Sequence, residues 1–206
     1  MNRELDAVVF DIGNVLLDWN PEYIFRKILP SNIDVHDFFK EIDYFERNYE
    51  MDKGIPLAQA RKEMIATFPH YGDVLNAYFD RWIESIGGEI AGSTGLLRQL
   101  HKIGIPLYSI TNFHQDFFEI TCKHYDFLKL FNGIVVSGTE GIRKPDPEIY
   151  QLLLDRYDLR PERLIFIDDK PENVKTSEKL GFHGHVFESA EGLRDRLNTF
   201  NLPLAA

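Results

Sequence analysis

The chain has 206 residues, 44% of them hydrophobic and 27% charged. That balance suits a soluble globular protein with enough apolar side chains for one or two packed domains. With 33 acidic against 23 basic residues the net charge is −10, which repels polyanions and excludes nucleic acid as a partner, while a local basic pocket can still take a small anionic substrate. No apolar stretch approaches the ~20 residues of a membrane span, so no membrane partner is expected. The opening Met1-Asn2-Arg3-Glu4-Leu5-Asp6 lacks the basic start and long apolar run of a secretion signal. Cys122 is the single cysteine, which rules out an internal disulfide or a cysteine-clustered zinc site. A reducing, cytoplasmic location and a monomer or weak homodimer are the resulting expectations.

Residues 7–10, Ala-Val-Val-Phe, form a wholly apolar run that stops at Asp11. Such a run suits a strand buried on both faces of a parallel sheet. Residues 16–90 then show no strand pattern. Apolar residues recur there at helical spacing: Ile24, Phe25 and Ile28; Phe38, Phe39 and Ile42; Met64, Ile65 and Phe68; Val74, Leu75, Tyr78, Phe79 and Trp82. About four amphipathic helices are expected, with breaks near Pro30, Gly54-Ile55-Pro56 and Pro69. A linker near Trp19-Asn20-Pro21 and a glycine hinge at Gly87-Gly88 and Gly92 would bound them.

Beyond residue 91 the strand runs resume at 106–110, 133–136 and 164–167, with a weaker one at 185–187. Helical patterns lie between them, at 95–102, 146–154 and 173–180, the last ending at Gly181. This alternation predicts an α/β fold, a Rossmann-like doubly wound parallel sheet, interrupted by an inserted helical cap. The expected division is 1–15 and 91–206 for the core and 16–90 for the cap.

Ligands of open parallel sheets bind beyond the carboxyl ends of the strands. The residues delivered there are Asp11, Thr111-Asn112 and Asp168-Asp169, with Arg143-Lys144-Pro145 between the third and fourth runs. Carboxylates suit Mg²⁺, which takes hard oxygen ligands. A threonine hydroxyl, a lysine and a helix N-terminus suit phosphate oxygens. An aspartate beside a metal can attack phosphorus and form an aspartyl-phosphate.

These four segments, Val9-Phe10-Asp11-Ile12-Gly13-Asn14-Val15, Ile110-Thr111-Asn112, Arg143-Lys144-Pro145-Asp146-Pro147 and Phe166-Ile167-Asp168-Asp169, resemble the four ordered motifs of the haloacid dehalogenase (HAD) superfamily. The insertion resembles that superfamily's small helical cap. Asp-Ile-Gly-Asn-Val and Arg-Lys-Pro are most similar to its α-D-glucose-1-phosphate phosphatase-like subgroup. The resemblance implies a hydrolase of the phosphatase type, acting with Mg²⁺ on a small phosphorylated metabolite, a sugar phosphate among the choices. It implies Asp11 as nucleophile and metal ligand, and Thr111 and Lys144 on the phosphoryl group. It further implies Asn112 on the substrate side, Asp168 and Asp169 at the metal, one directly and one through water, and the Gly13 carbonyl as a further metal contact. The alternatives are a metal-free 2-haloacid dehalogenase, which has little use for Asp168-Asp169, and a weakly active regulatory or binding protein.

The departure from the superfamily lies at Gly13. Its phosphatases carry there a second aspartate that serves as general acid and base. Without it the proton must come from water, the substrate or another acid, for which Asp18 is one choice, although a turn-stabilising role suits Asp18 better. Trp19, Tyr44, Tyr49 and Trp82 read as packing residues of the cap or hinge. The seven histidines show no metal-ligand spacing.

Overall fold

A computed structural model describes residues 5–204. Met1 to Glu4, on which part of the leader reading falls, and the last two residues lie outside the described residues. The chain runs β1 (Ala7–Phe10), β2 (Leu17–Trp19), α1 (Glu22–Ile28), α2 (Val35–Glu41), α3 (Tyr44–Met51), α4 (Leu57–Thr67), α5 (Gly72–Asp80) and β3 (Ile86–Glu89). It continues α6 (Ala91–Lys102), β4 (Leu107–Thr111), α7 (Gln115–His124), β5 (Gly133–Val136), α8 (Ser137–Glu140) and α9 (Pro147–Tyr157). It ends β6 (Leu164–Asp168), α10 (Pro171–Lys179), β7 (His183–Val186) and α11 (Ala190–Asn198).

Five strands form one parallel sheet in the order β5-β4-β1-β6-β7. β1 lies in the middle, paired with both β4 and β6, which is why its four residues are all buried and all apolar. Val8 and Phe10 pack on one face with Ile165 and Ile167, against α6 and α11; Ala7 and Val9 pack on the other with Phe166, against Ile149, Tyr150 and Leu153 of α9. That split is the two-residue period of a strand. β7 is an edge strand of half-buried residues, His-Gly-His-Val, which accounts for its weak sequence signal. Among the described residues no helix is long and apolar enough to cross a membrane.

The insertion differs from the expectation in two respects. It holds five α-helices rather than four, since α3, Tyr-Phe-Glu-Arg-Asn-Tyr-Glu-Met, buries only Tyr44 and Met51 and is polar on average, so no apolar cluster marks it in the sequence. It also contains strand: β2 and β3 pair antiparallel at its base, where no strand was expected. These strands have three and four residues, and β3 contains Gly87-Gly88, so neither shows an alternating pattern. The supposed glycine hinge is therefore partly a paired ribbon.

Aromatic rings make the core of the insertion. Phe25 of α1 has the rings of Phe38, Phe39, Tyr44 and Tyr78 at 5.1, 5.2, 5.4 and 4.8 Å. The Tyr44 and Tyr78 hydroxyls satisfy one another at 3.0 Å, as buried phenols require. Trp82, in the turn after α5, stacks on Phe117 of α7 at 4.4 Å with an interplanar angle of 8°. This contact fastens the insertion to the sheet domain.

Candidate functional site

Because β1, β4 and β6 are parallel neighbours, their carboxyl ends reach the same edge. Asp11 follows β1, with its N–H donating to the Ile167 carbonyl at 2.8 Å and its carboxylate accepting from the Ile12 N–H at 2.7 Å. Lys144, in the loop before α9, is 1% exposed, and its ammonium lies 2.9 Å from Asp11 Oδ1 and 2.6 Å from Asp168 Oδ2. Burial opposes the charge on Lys144, but Asp11 and Asp168 together hold it protonated above its ordinary value. Burial also pushes the Asp11 carboxyl upward, against the pull of Lys144.

Asp168 has its other contacts from α10. Its Oδ1 accepts from the Lys170 N–H at 2.8 Å, and the Asn173 amide donates to Oδ1 at 2.9 Å and Oδ2 at 3.0 Å. Asn173 was not singled out in the sequence. It stands five residues after Asp168 in the first turn of a helix that opens with Pro171, and that spacing was the available signal. Asp169 lines the cavity, and burial followed by the Asp168 charge raises its carboxyl.

Thr111 ends β4, 1% exposed, and its hydroxyl has no hydrogen-bond partner among the described residues. An unpaired buried hydroxyl is costly, and one aimed at a ligand is a common reason for it. Asn112 is placed differently: its amide donates to the Lys144 carbonyl and accepts from the Lys144 N–H, both at 2.9 Å. It borders the cavity while holding the backbone that presents Lys144. Gly13 also borders the cavity, and a side chain there would meet nothing within 4 Å.

The cavity has a volume of about 490 Å³ and lies between the strand ends and the insertion. Trp19, Phe45, Tyr49, Trp82, Phe113 and Phe117 give it aromatic walls. Phe45 and Tyr49 of α3 are 59% and 43% exposed. The Arg143 guanidinium, 3% exposed, stacks on the Tyr49 ring. Tyr49 and Trp19 thus border the cavity, whereas Tyr44 is a packing residue as expected and Trp82 both packs on Phe117 and walls the cavity. Asp18 stands outside the cavity lining and accepts from the Tyr23 hydroxyl at 2.7 Å, tying β2 to α1.

Asp52, immediately after α3, also faces the cavity and had no sequence signal. Desolvation raises its carboxyl to about 7, with Lys170 and the His114 backbone N–H acting against the rise and the Asp11 charge adding to it.

Asp11, Asp168 and Asp169 each place a carboxylate oxygen within 4.8 Å of the others. Three ionised carboxylates against the Lys144 ammonium leave two negative charges at the strand ends. An all-oxygen set with that charge fits a hard divalent cation. Among the described residues no histidine or cysteine joins the cluster.

Residues 5–181 match the haloacid dehalogenase-like hydrolase family. The chain is 33% identical over 196 residues to the sesquiterpene phosphatase astK of Aspergillus oryzae, covering 89% of this chain and 90% of that one. It is 24% identical over 198 residues to a phosphorylated carbohydrates phosphatase of Thermotoga maritima, covering 93% and 88%. In fold it is similar to the HAD family enzyme bt-2542 of Bacteroides thetaiotaomicron, with a TM-score of 0.75, 19% identity and coverage of 91% and 95%. That enzyme's complex with magnesium and inorganic phosphate gives a TM-score of 0.69 at 19% identity, covering 90% and 95%. With the matched segment spanning four of the five sheet strands, the insertion and all four strand-end motifs, the chain belongs to the haloacid dehalogenase-like hydrolase family.

Proposed function

We propose that the protein is a Mg²⁺-dependent phosphatase that hydrolyses a small phosphorylated metabolite through an aspartyl-phosphate on Asp11. The observation that carries this reading is the buried triad Asp11–Lys144–Asp168, a strand-end carboxylate held against a fully enclosed ammonium. Asp11 attacks phosphorus, and Lys144 favours its ionised form and neutralises phosphoryl oxygens. The Thr111 hydroxyl, free of protein partners among the described residues, donates to a phosphoryl oxygen. Asp11, Asp168 and Asp169 would hold the cation with the Gly13 carbonyl, and Mg²⁺ when bound offsets the charge on the phosphate. Asn112 orients Lys144 through its backbone and borders the substrate.

In this reading 1–15 and 91–206 form the catalytic core and 16–90 the cap that encloses the substrate and keeps water out. The volume suits a small metabolite such as a sugar phosphate, whose ring can lie against the aromatic walls. The relatives named as sesquiterpene and phosphorylated carbohydrates phosphatases share the phosphatase designation and differ in the substrate class named, which is consistent with a fixed phosphate site and a variable cap.

The test is turnover of p-nitrophenyl phosphate, with Mg²⁺, with EDTA and in the Asp11→Asn protein. Release of phosphate that needs Mg²⁺ and vanishes in the variant is expected. Halide release from a 2-haloacid without metal, in place of phosphate release, would instead make the protein a dehalogenase. No turnover of either kind, with phosphate still bound, would make it a binding protein.

A further inference from the structure

The proposed reaction leaves one requirement without a residue: a proton for the departing oxygen. Position 13 carries no side chain, and a Cβ there would face open space. Asp18 is committed to Tyr23 outside the cavity. We propose that Asp52, carried by the cap, is the general acid and base of the reaction and takes the place that position 13 leaves empty. This inference rests on the phosphatase reading of the same site.

Three features of the geometry support it. First, phosphoryl transfer places the attacking and leaving oxygens roughly in line. Asp11 attacks from the end of β1, so the leaving oxygen points away from the sheet, toward the insertion. Asp52 lines that side of the same cavity.

Second, the loop that carries Asp52 is fixed to the core at several points. The Asp52 carbonyl accepts from the Ser137 hydroxyl at 2.6 Å, and Ser137 Oγ in turn accepts from the Phe113 N–H at 2.9 Å. The Ile55 carbonyl lies 2.8 Å from His114 Nε2, and His114 Nδ1 accepts from the Asp116 N–H at 3.1 Å, which leaves Nε2 as the donor. Between them Gly54, at φ +92°, packs directly on the backbone of Gly138, an approach that no side chain would permit. These contacts set a cap residue with the accuracy that proton transfer needs.

Third, the carboxyl has few competing partners. Among the described residues its partners are Asn48 Nδ2, which donates at 3.3 Å, and the His114 backbone N–H. The charged groups that act on it are Lys170, Asp11 and Lys144, and the desolvated cleft favours its protonated form. A carboxyl so placed can give a proton and later accept one.

The balance of the reaction is as follows. An Asp11 carboxylate oxygen forms a bond to phosphorus, the bond from phosphorus to the ester oxygen breaks, and that oxygen takes the proton of Asp52. The products are the free alcohol, the aspartyl-phosphate and an Asp52 carboxylate. Water then adds to phosphorus, its proton passes to Asp52, and the bond from phosphorus to Asp11 breaks. Inorganic phosphate leaves, with Asp11 ionised and Asp52 protonated as at the start.

The experiment measures kcat/KM with Mg²⁺ for a series of phosphomonoesters, from p-nitrophenyl through phenyl to simple alkyl phosphates, in the native protein and in Asp52→Asn. kcat/KM reports the step in which the leaving oxygen departs, so slow breakdown of the aspartyl-phosphate does not mask it. A general acid typically contributes ~10²–10⁴-fold. Asp52→Asn should lose about that much on alkyl phosphates and about tenfold or less on p-nitrophenyl phosphate, whose leaving group needs no proton. The native protein should depend weakly on leaving-group pKa and the variant steeply. Gly13→Asp in the Asp52→Asn background should flatten the dependence again, since position 13 has the room and a φ outside the left-handed range.

An equal loss on every ester, or an unchanged dependence, overturns the assignment while leaving the phosphatase reading intact. A native protein already as steep as the variant overturns it too. Absence of any Mg²⁺-dependent phosphate release overturns the phosphatase reading itself. Should Asp52→Asn misfold by circular dichroism, Asp52→Glu decides: it keeps a carboxyl, so it must retain a shallow dependence for the assignment to stand.

Discussion

Lys144 Nζ lies between Asp11 and Asp168, at 2.9 and 2.6 Å, with 1% of the residue exposed. Deleting one partner of a buried pair costs far more than the pair contributes, because charge is left behind without compensation. Lys144→Met should therefore lose about 3–5 kcal/mol of folding stability in urea denaturation, and saturating Mg²⁺ should recover part of it. A midpoint unmoved by the substitution would show that the carboxylates are neutral in the native protein. Thr111 makes the opposite prediction. Its hydroxyl is buried and unpartnered, so Thr111→Val, nearly the same shape, should leave the melting temperature unchanged or slightly raised. Phosphate binding should weaken about 10- to 100-fold, the value of a hydrogen bond to a charged group. Inhibition by inorganic phosphate measures it. Both residues stand at strand ends or just before a helix, and both were legible in the sequence. Their partners were less so: Asn173 and Asn112 act on Asp168 and on Lys144 through contacts between segments that only folding brings together.

At the scale of elements, loop 52–55 of the insertion meets the strand-end side of the sheet through Ser137, His114 and the Gly54–Gly138 backbone contact. Gly54→Ala adds a methyl group against a backbone carbonyl at a positive φ. The loop must lift, since the Gly138 backbone is held by α8 and cannot give way. A loss of about 1 kcal/mol or more in stability is expected, with a drop in kcat/KM larger than any change in phosphate binding. Equal loss in both would place the damage at the strand ends instead. The aromatic centre of the insertion offers a second check. Phe25 contacts four rings and is fully buried, so Phe25→Ala should cost about 3–5 kcal/mol in thermal or urea unfolding.

For the whole molecule, the net charge of −10 and the clustered carboxylates make cation binding and folding interdependent. A cation that binds only the native state stabilises it by about 2.7 kcal/mol at a hundred times its dissociation constant. The melting temperature should rise with Mg²⁺ concentration, and Asp169→Asn should shrink that rise by weakening the site. A shift that survives unchanged in the variant would locate the cation elsewhere on the acidic surface.

The sequence by itself determined the doubly wound sheet and that Asp11, Thr111, Asp168 and Asp169 stand at the ends of its strands. The reason is local: a strand buried on both faces must be apolar throughout, and the residue that ends it is displayed at the ligand-binding edge. Helices with one buried face likewise announced themselves by spacing, as in α1 and α5. Only the tertiary structure decided what depends on chain segments far apart. The ribbon of β2 and β3 exists because residues 17–19 and 86–89 meet, with strands too short to show a period. The helix not expected, α3, presents Phe45 and Tyr49 to a cavity rather than to a core, so it carries few apolar residues to mark it. Asp52 reads as one more acid at the end of a surface helix until the loop docks on Ser137 and His114. Its proximity to Asp11, forty-one positions earlier in the chain, is a property of the insertion packed on the sheet and not of any local pattern.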